Sequence, residues 1–146
     1  MAFNLNNHSI WQEFAVILGQ INPNALAKSH LEACNYKVMG YYDEDDYYEE
    51  VEFITPIDVE LTSSSLNLKN QETNTSRWVT LNFSLKAVNA HKEQSVDNED
   101  EIEEVGELKL IFDSNMNFID ENWEIYIESP FVIAKKENVT QELSVA

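Results

Sequence analysis

The sequence predicts an α+β fold: two N-terminal helices packed on one antiparallel β-sheet of four to six strands in meander-like order. Two observations lead there. Apolar residues recur at helical spacing as far as Cys34, and from Tyr36 onward short runs rich in β-branched and aromatic residues alternate with period two. A third sets the size: 146 residues, 43% of them hydrophobic, match one ordinary domain. Such a chain buries about 68–70% of its unfolded surface and folds without disulfide or metal staples.

The first helix is predicted over Ile10–Leu18. Ser9 followed by Gln12 has the spacing of a capping box, Ile10, Phe14, Ile17 and Leu18 form the apolar stripe, and Gly19 lies near the end. Asn22 before Pro23 marks a second start, and Leu26, Ala27, Leu31 and Cys34 make the next stripe. Strands are then predicted over Tyr36–Tyr42 and Tyr47–Ile54, joined by the acidic turn Asp43–Asp46. Pro56 removes a ladder donor, so an edge strand or a bulge is expected where Ile57, Val59 and Leu61 resume the alternation.

Residues 63–76 are polar and read as a loop. The clearest half-buried strand follows, with Val79, Leu81, Phe83, Leu85 and Ala87 alternating against Trp78, Thr80, Asn82, Ser84 and Lys86. Residues 91–104 are acidic and poor in apolar side chains, which predicts a flexible loop. A last hairpin is expected over Glu107–Asp113 and Phe118–Glu128. The domain is bounded at 1–134, with 135–146 as a polar C-terminal tail. Helices followed by a meander is an order similar to that of cystatin-like and NTF2-like folds, a likeness of topology carried by no motif.

Twenty-seven acidic residues face nine basic ones, a net charge of -18. Nucleic acids and anionic membranes are recognised through Lys and Arg, so neither is an expected direct partner. Basic protein surfaces are. Cys34 is the single cysteine, there is no leader-like apolar segment and no run long enough to span a bilayer, so a reducing, cytoplasmic setting is expected.

The most distinctive stretch is Asp43–Glu60, with nine acids and no base. Its first part interleaves them with tyrosines: Tyr41, Tyr42, Asp43, Glu44, Asp45, Asp46, Tyr47, Tyr48, Glu49 and Glu50. Tyrosines supply rigid contact area and carboxylates supply complementarity to Lys and Arg, so these ten residues are the predicted partner-binding site. The bland alternative is a solvated hairpin with two tyrosines in and two out.

Asp113, Asn115, Asn117 and Glu124 occupy positions 1, 3, 5 and 12 of an EF-hand calcium loop. Phe118 stands where that loop needs glycine, and the flanks alternate as strands, so the residues form a weak calcium candidate and no metal is assigned. No cofactor is implied either: Gly19, Gly40 and Gly106 make no phosphate-cradling loop. His8, His30, His91 and Cys34 carry no nucleophile signature, and nothing nominates an enzyme.

The sequence thus favours a non-enzymatic acidic binding or regulatory protein that engages a basic protein surface. In its sharper form it is an inhibitor that mimics DNA or another nucleic acid. The alternative is a small-ligand pocket domain of cystatin-like or NTF2-like outline, enzymatic or not, with Trp11, Trp78 and Trp123 as its walls. Oligomeric state is left open.

Overall fold

The structure, a computed structural model, describes residues 3–54, 56–89 and 101–136. The fold is α+β, but its strands form two antiparallel sheets rather than one. Helix α1 (Ile10–Ile21) runs directly into α2 (Pro23–Ala33) through Asn22, whose left-handed backbone (φ 56°) closes the first helix by donating its N–H to Leu18 O. Pro23 then starts the second at the position where its missing N–H is harmless. The predicted capping box does not form. Ser9 has helical angles and makes no side-chain cap; instead His8 Nδ1 accepts the Ile10 N–H at 3.0 Å.

The three-stranded sheet has the order β1 (Lys37–Asp43), β2 (Asp46–Phe53), β7 (Val132–Lys136). The four-stranded sheet is a meander in the order β3 (Ile57–Asn70), β4 (Thr75–Asn89), β5 (Glu101–Asp113), β6 (Phe118–Ile125). The chain changes sheets between Phe53 and Ile57, at Pro56, and this is the physical reason that one predicted sheet became two. Proline cannot donate to a continuing ladder. As Pro56 predicted, β3 is an edge strand, and a register shift between Leu61 and Ser63 bulges it at Thr62.

Three boundaries are corrected. Residues 63–76, read as a loop, are mostly strand: β3 and β4 pair from Ile57↔Ala87 out to Asn70↔Thr75. Their polar side chains suit a hairpin that projects past the core, and they bond across it, Asn82 to Ser63 at 2.9 Å and Asn67 to Thr80 at 3.0 Å. Residues 101–104 of the predicted acidic loop belong to β5, while 91–100 lie outside the described residues. Lys135 and Lys136 of the predicted tail belong to β7, a strand too short to show alternation in the sequence, and 137–146 lie outside the described residues.

One hydrophobic cluster joins the layers. The four-stranded sheet contributes Leu81, Phe83, Leu85, Leu108 and Leu110, the three-stranded sheet Val51 and Phe53, and α2 Ala27 and Leu31. Helix α1 has no buried residue; Leu18 and Ile21 lean on the cluster while Trp11, Val16 and Ile17 stay exposed. Gly106 lies opposite Ile125, where any Cβ would stand 2.5 Å from the Glu124 carbonyl oxygen. Only glycine lets β5 and β6 approach this closely.

Candidate functional site

Strands β1 and β2 form a hairpin closed by the two-residue turn Glu44–Asp45, with Asp43 opposite Asp46. The register sets Tyr41 opposite Tyr48 and Tyr42 opposite Tyr47. The first pair turns inward: Tyr48 is buried and Tyr41 half-buried. The second turns outward, its rings tilted 54° to each other with centroids 4.8 Å apart, and Tyr42 is 70% exposed. The hairpin therefore divides its tyrosines two and two, as period-two alternation requires.

The carboxylates divide as well. Lys135 Nζ lies 3.2 Å from Glu50 and Lys136 Nζ 3.3 Å from Asp46. Lys136 also stands 5.6 Å from the centre of the Tyr48 ring. The bases missing from the local sequence thus arrive from β7. Glu44, Asp45 and Glu49 remain exposed at the hairpin tip and along its outer face, beside Tyr42 and Tyr47. Of the ten predicted residues, the structure gathers these outward ones and gives Tyr41, Tyr48 and Glu50 structural surroundings.

Tyr41 does more than fill the core. Its hydroxyl oxygen accepts the backbone N–H of Ile125 at 2.8 Å, joining the β1 edge of one sheet to the β6 edge of the other. Among the described residues, β1 pairs elsewhere with β2 alone and β6 with β5 alone. Two open hollows flank the tyrosine. The larger, of about 590 Å³, lies between Lys37–Tyr42 and the segment Glu121, Asn122 and Trp123, with Cys34 at its end. The smaller, of about 310 Å³, lies between Tyr41 and Asp43 on one side and Glu124–Glu128 on the other. Glu121 and Lys37 line the larger hollow, and Asp43, Glu124 and Glu128 line the smaller with no base beside them.

One wall of the larger hollow is held by contacts that the sequence did not announce. His30 Nε2 lies 3.0 Å from Glu121 Oε2, and the Trp123 indole N–H donates to the same oxygen. The His30 ring packs on Phe118 and Trp123 at centroid distances of 5.2 and 6.0 Å. His30 and Glu121 are separated by 91 positions, so no local spacing could have paired them. Trp123 shares the parity of Ile125 and Ile127 in the sequence, and that alternation was the available signal.

The calcium candidate is drawn apart. Asp113, Asn115 and Asn117 sit in the β5–β6 turn, where Asp113 Oδ1 accepts the N–H groups of Asn115 and Asn117, each at 2.9 Å. The Asn117 bond leads in holding the Asp113 carboxyl below its usual pKa. Glu124 lies six residues up β6 from Phe118, about 20 Å along the strand, and opposite Glu107. A hydrogen bond between those two carboxyl groups raises the pKa of Glu107. Among the described residues no three His, Cys, Asp or Glu side chains gather as a metal-holding group.

A separate apolar groove of about 400 Å³ lies between α1 and the far end of the β3–β4 hairpin, lined by Ile17, Ile21, Leu66, Leu68, Trp78 and Met116. Of the three tryptophans expected as pocket walls, Trp78 lines this groove and Trp123 the seam. Trp11 lines neither; its indole N–H donates to Leu5 O at 2.7 Å, and the residue is 55% exposed. No helix among the described residues is long and apolar enough to cross a membrane. Comparison with protein-family models, with curated proteins and with solved structures returns no match for this chain.

Proposed function

We propose that this chain is a non-enzymatic binding or regulatory protein whose acidic hairpin engages a basic protein surface. The observation that carries the reading is the outward Tyr42–Tyr47 pair, in tilted ring contact and exposed, with Glu44, Asp45 and Glu49 exposed on the same hairpin. An exposed aromatic pair ringed by carboxylates offers contact area at low entropic cost and selects for Lys and Arg. In its sharper form the carboxylates stand in for phosphates and occupy the nucleic-acid site of a partner, an extension supported by the net charge of -18.

The test compares the native protein with a variant carrying Glu44→Lys, Asp45→Lys and Glu49→Lys, each immobilised and exposed to purified basic proteins, nucleic-acid-binding ones included. The native protein retains a partner at low salt and releases it above about 0.15 M, where screening is strong; the variant retains none. Equal retention by both would sink the hairpin as the contact. If the retained partner is also displaced by its own nucleic acid, the mimic form is supported.

The apolar groove at α1 favours a second reading, a small-ligand site. About 400 Å³ with mostly hydrophobic walls is within the range of ligand pockets. The neutral dye Nile red should then bind with a fluorescence rise, and Leu68→Asp should abolish it. No rise with the native protein ends this reading.

A further inference from the structure

We infer that the seam between β1 and β6 takes up an extended, basic segment of the partner by strand addition to the β1 edge. This rests on the proposal that the partner is a basic protein and specifies how it is held. The four sheet edges are not equivalent. β7 is five residues long and ends in Lys135 and Lys136, and β3 follows Pro56 and is bulged at Thr62. Short length, lysines, prolines and bulges are the ordinary protections of an edge. β6 carries a register shift opposite Ile111–Phe112. β1 keeps one register against β2 from Lys37↔Glu52 to Asp43↔Asp46, interrupted at Gly40 (φ 70°), which has no cross-strand partner, and among the described residues its far side meets no backbone ladder.

The seam beside that edge is open, and its smaller hollow is lined by three carboxylates and no base. A strand laid along β1 turns every second side chain toward the seam. Basic side chains at those positions reach Glu121 in the larger hollow and Asp43, Glu124 and Glu128 in the smaller, while Tyr42 and Trp123 supply apolar walls. Main-chain hydrogen bonds supply affinity and the alternate pockets specificity, as in other β-augmentation complexes. Between the hollows stands the Tyr41 hydroxyl on Ile125 N–H. That bond acts as a latch, which the incoming strand opens.

The experiment uses a fluorescein-labelled peptide in which lysine alternates with valine, read by fluorescence anisotropy against the 146-residue chain at low salt. A control peptide has the same side chains and charge but is N-methylated at every second residue, which removes backbone donors. The unmodified peptide is expected to bind about tenfold or more tightly than the control, since several backbone bonds are lost in it. Tyr41→Phe, which removes the latch, is expected to tighten binding, and amide-resolved NMR should show the largest perturbations within 37–43 and 121–126. Equal binding of the two peptides, or perturbations confined to β3 or β7, overturns strand addition while leaving an acidic docking surface intact. Failure of both peptides to bind at low salt overturns the basic-partner reading as well. Should Tyr41→Phe fold poorly, the peptide comparison decides alone.

Discussion

The Tyr41 hydroxyl oxygen lies 2.8 Å from the backbone nitrogen of Ile125, 84 positions away, and this bond ties two sheets that share no ladder along that seam among the described residues. Ile125 is 3% exposed, so water is poorly placed to replace the hydroxyl. Tyr41→Phe should therefore lower unfolding stability by about 1–3 kcal/mol, the penalty of a buried donor left without an acceptor. Urea denaturation followed by fluorescence measures it. An unchanged midpoint would mean that the bond contributes nothing.

Glu121 receives both His30 and the Trp123 indole on one carboxylate oxygen. Glu121→Ala should cost about 1–3 kcal/mol, because both groups lose a partner in a half-buried setting. Trp123 emission should shift to the red as the wall of the hollow loosens. Glu121→Gln keeps one acceptor oxygen and should fall between the native protein and the alanine variant. Identical spectra for native and alanine proteins would argue against the three-residue cluster.

Gly106→Ala places a methyl group 2.5 Å from the Glu124 carbonyl oxygen, a backbone atom that cannot rotate away. The β5–β6 pairing must open locally, at about 1–3 kcal/mol, the usual range for overpacking. Gly19→Ala is the control: nothing lies within 4 Å of its Cβ position, and it is helical, so the change should stabilise. Thermal melts of the two variants should move in opposite directions.

Asp113 gives a pH dependence of determined sign. Its carboxyl is held below the ordinary value by the N–H groups of the β5–β6 turn, Asn117 foremost. The folded state thus favours the carboxylate, and the stabilisation is fully present above the unfolded pKa of about 3.9. It is lost as pH falls through the lower folded value. Asp113→Ala should be less stable than the native protein at pH 7, and the gap should narrow as acid protonates the native carboxyl. A gap that stays constant down to low pH would place the effect elsewhere, in packing or turn propensity.

Much of the fold was legible because it is written at short range. The periodicity of Leu26, Ala27 and Leu31 and the Asn22–Pro23 junction marked α2, and the alternation of Val79 through Ala87 marked β4. The far part of the β3–β4 hairpin was not legible, since its alternation is limited to Leu66 and Leu68 amid polar residues and is put out of phase with Ile57, Val59 and Leu61 by the bulge at Thr62. β7 was missed for its length. At the candidate site, the division of the four tyrosines could be foreseen from period two, whereas which carboxylates meet a base depended on β7 folding back against β2.

The sequence by itself determined the acidity, the class of elements and the position of the tyrosine hairpin, because composition and the 3.6- and 2-residue periods are local properties. Only the tertiary structure decided that the strands divide into two sheets at Pro56, that Lys135 and Lys136 reach Glu50 and Asp46, and that Tyr41 bridges to Ile125. The ion pairs and the Tyr41 bridge join residues tens of positions apart, and what brings them together is burial of one shared apolar cluster with no signature in any single stretch of chain; Pro56 marks the break locally, but not which strands pair on either side of it.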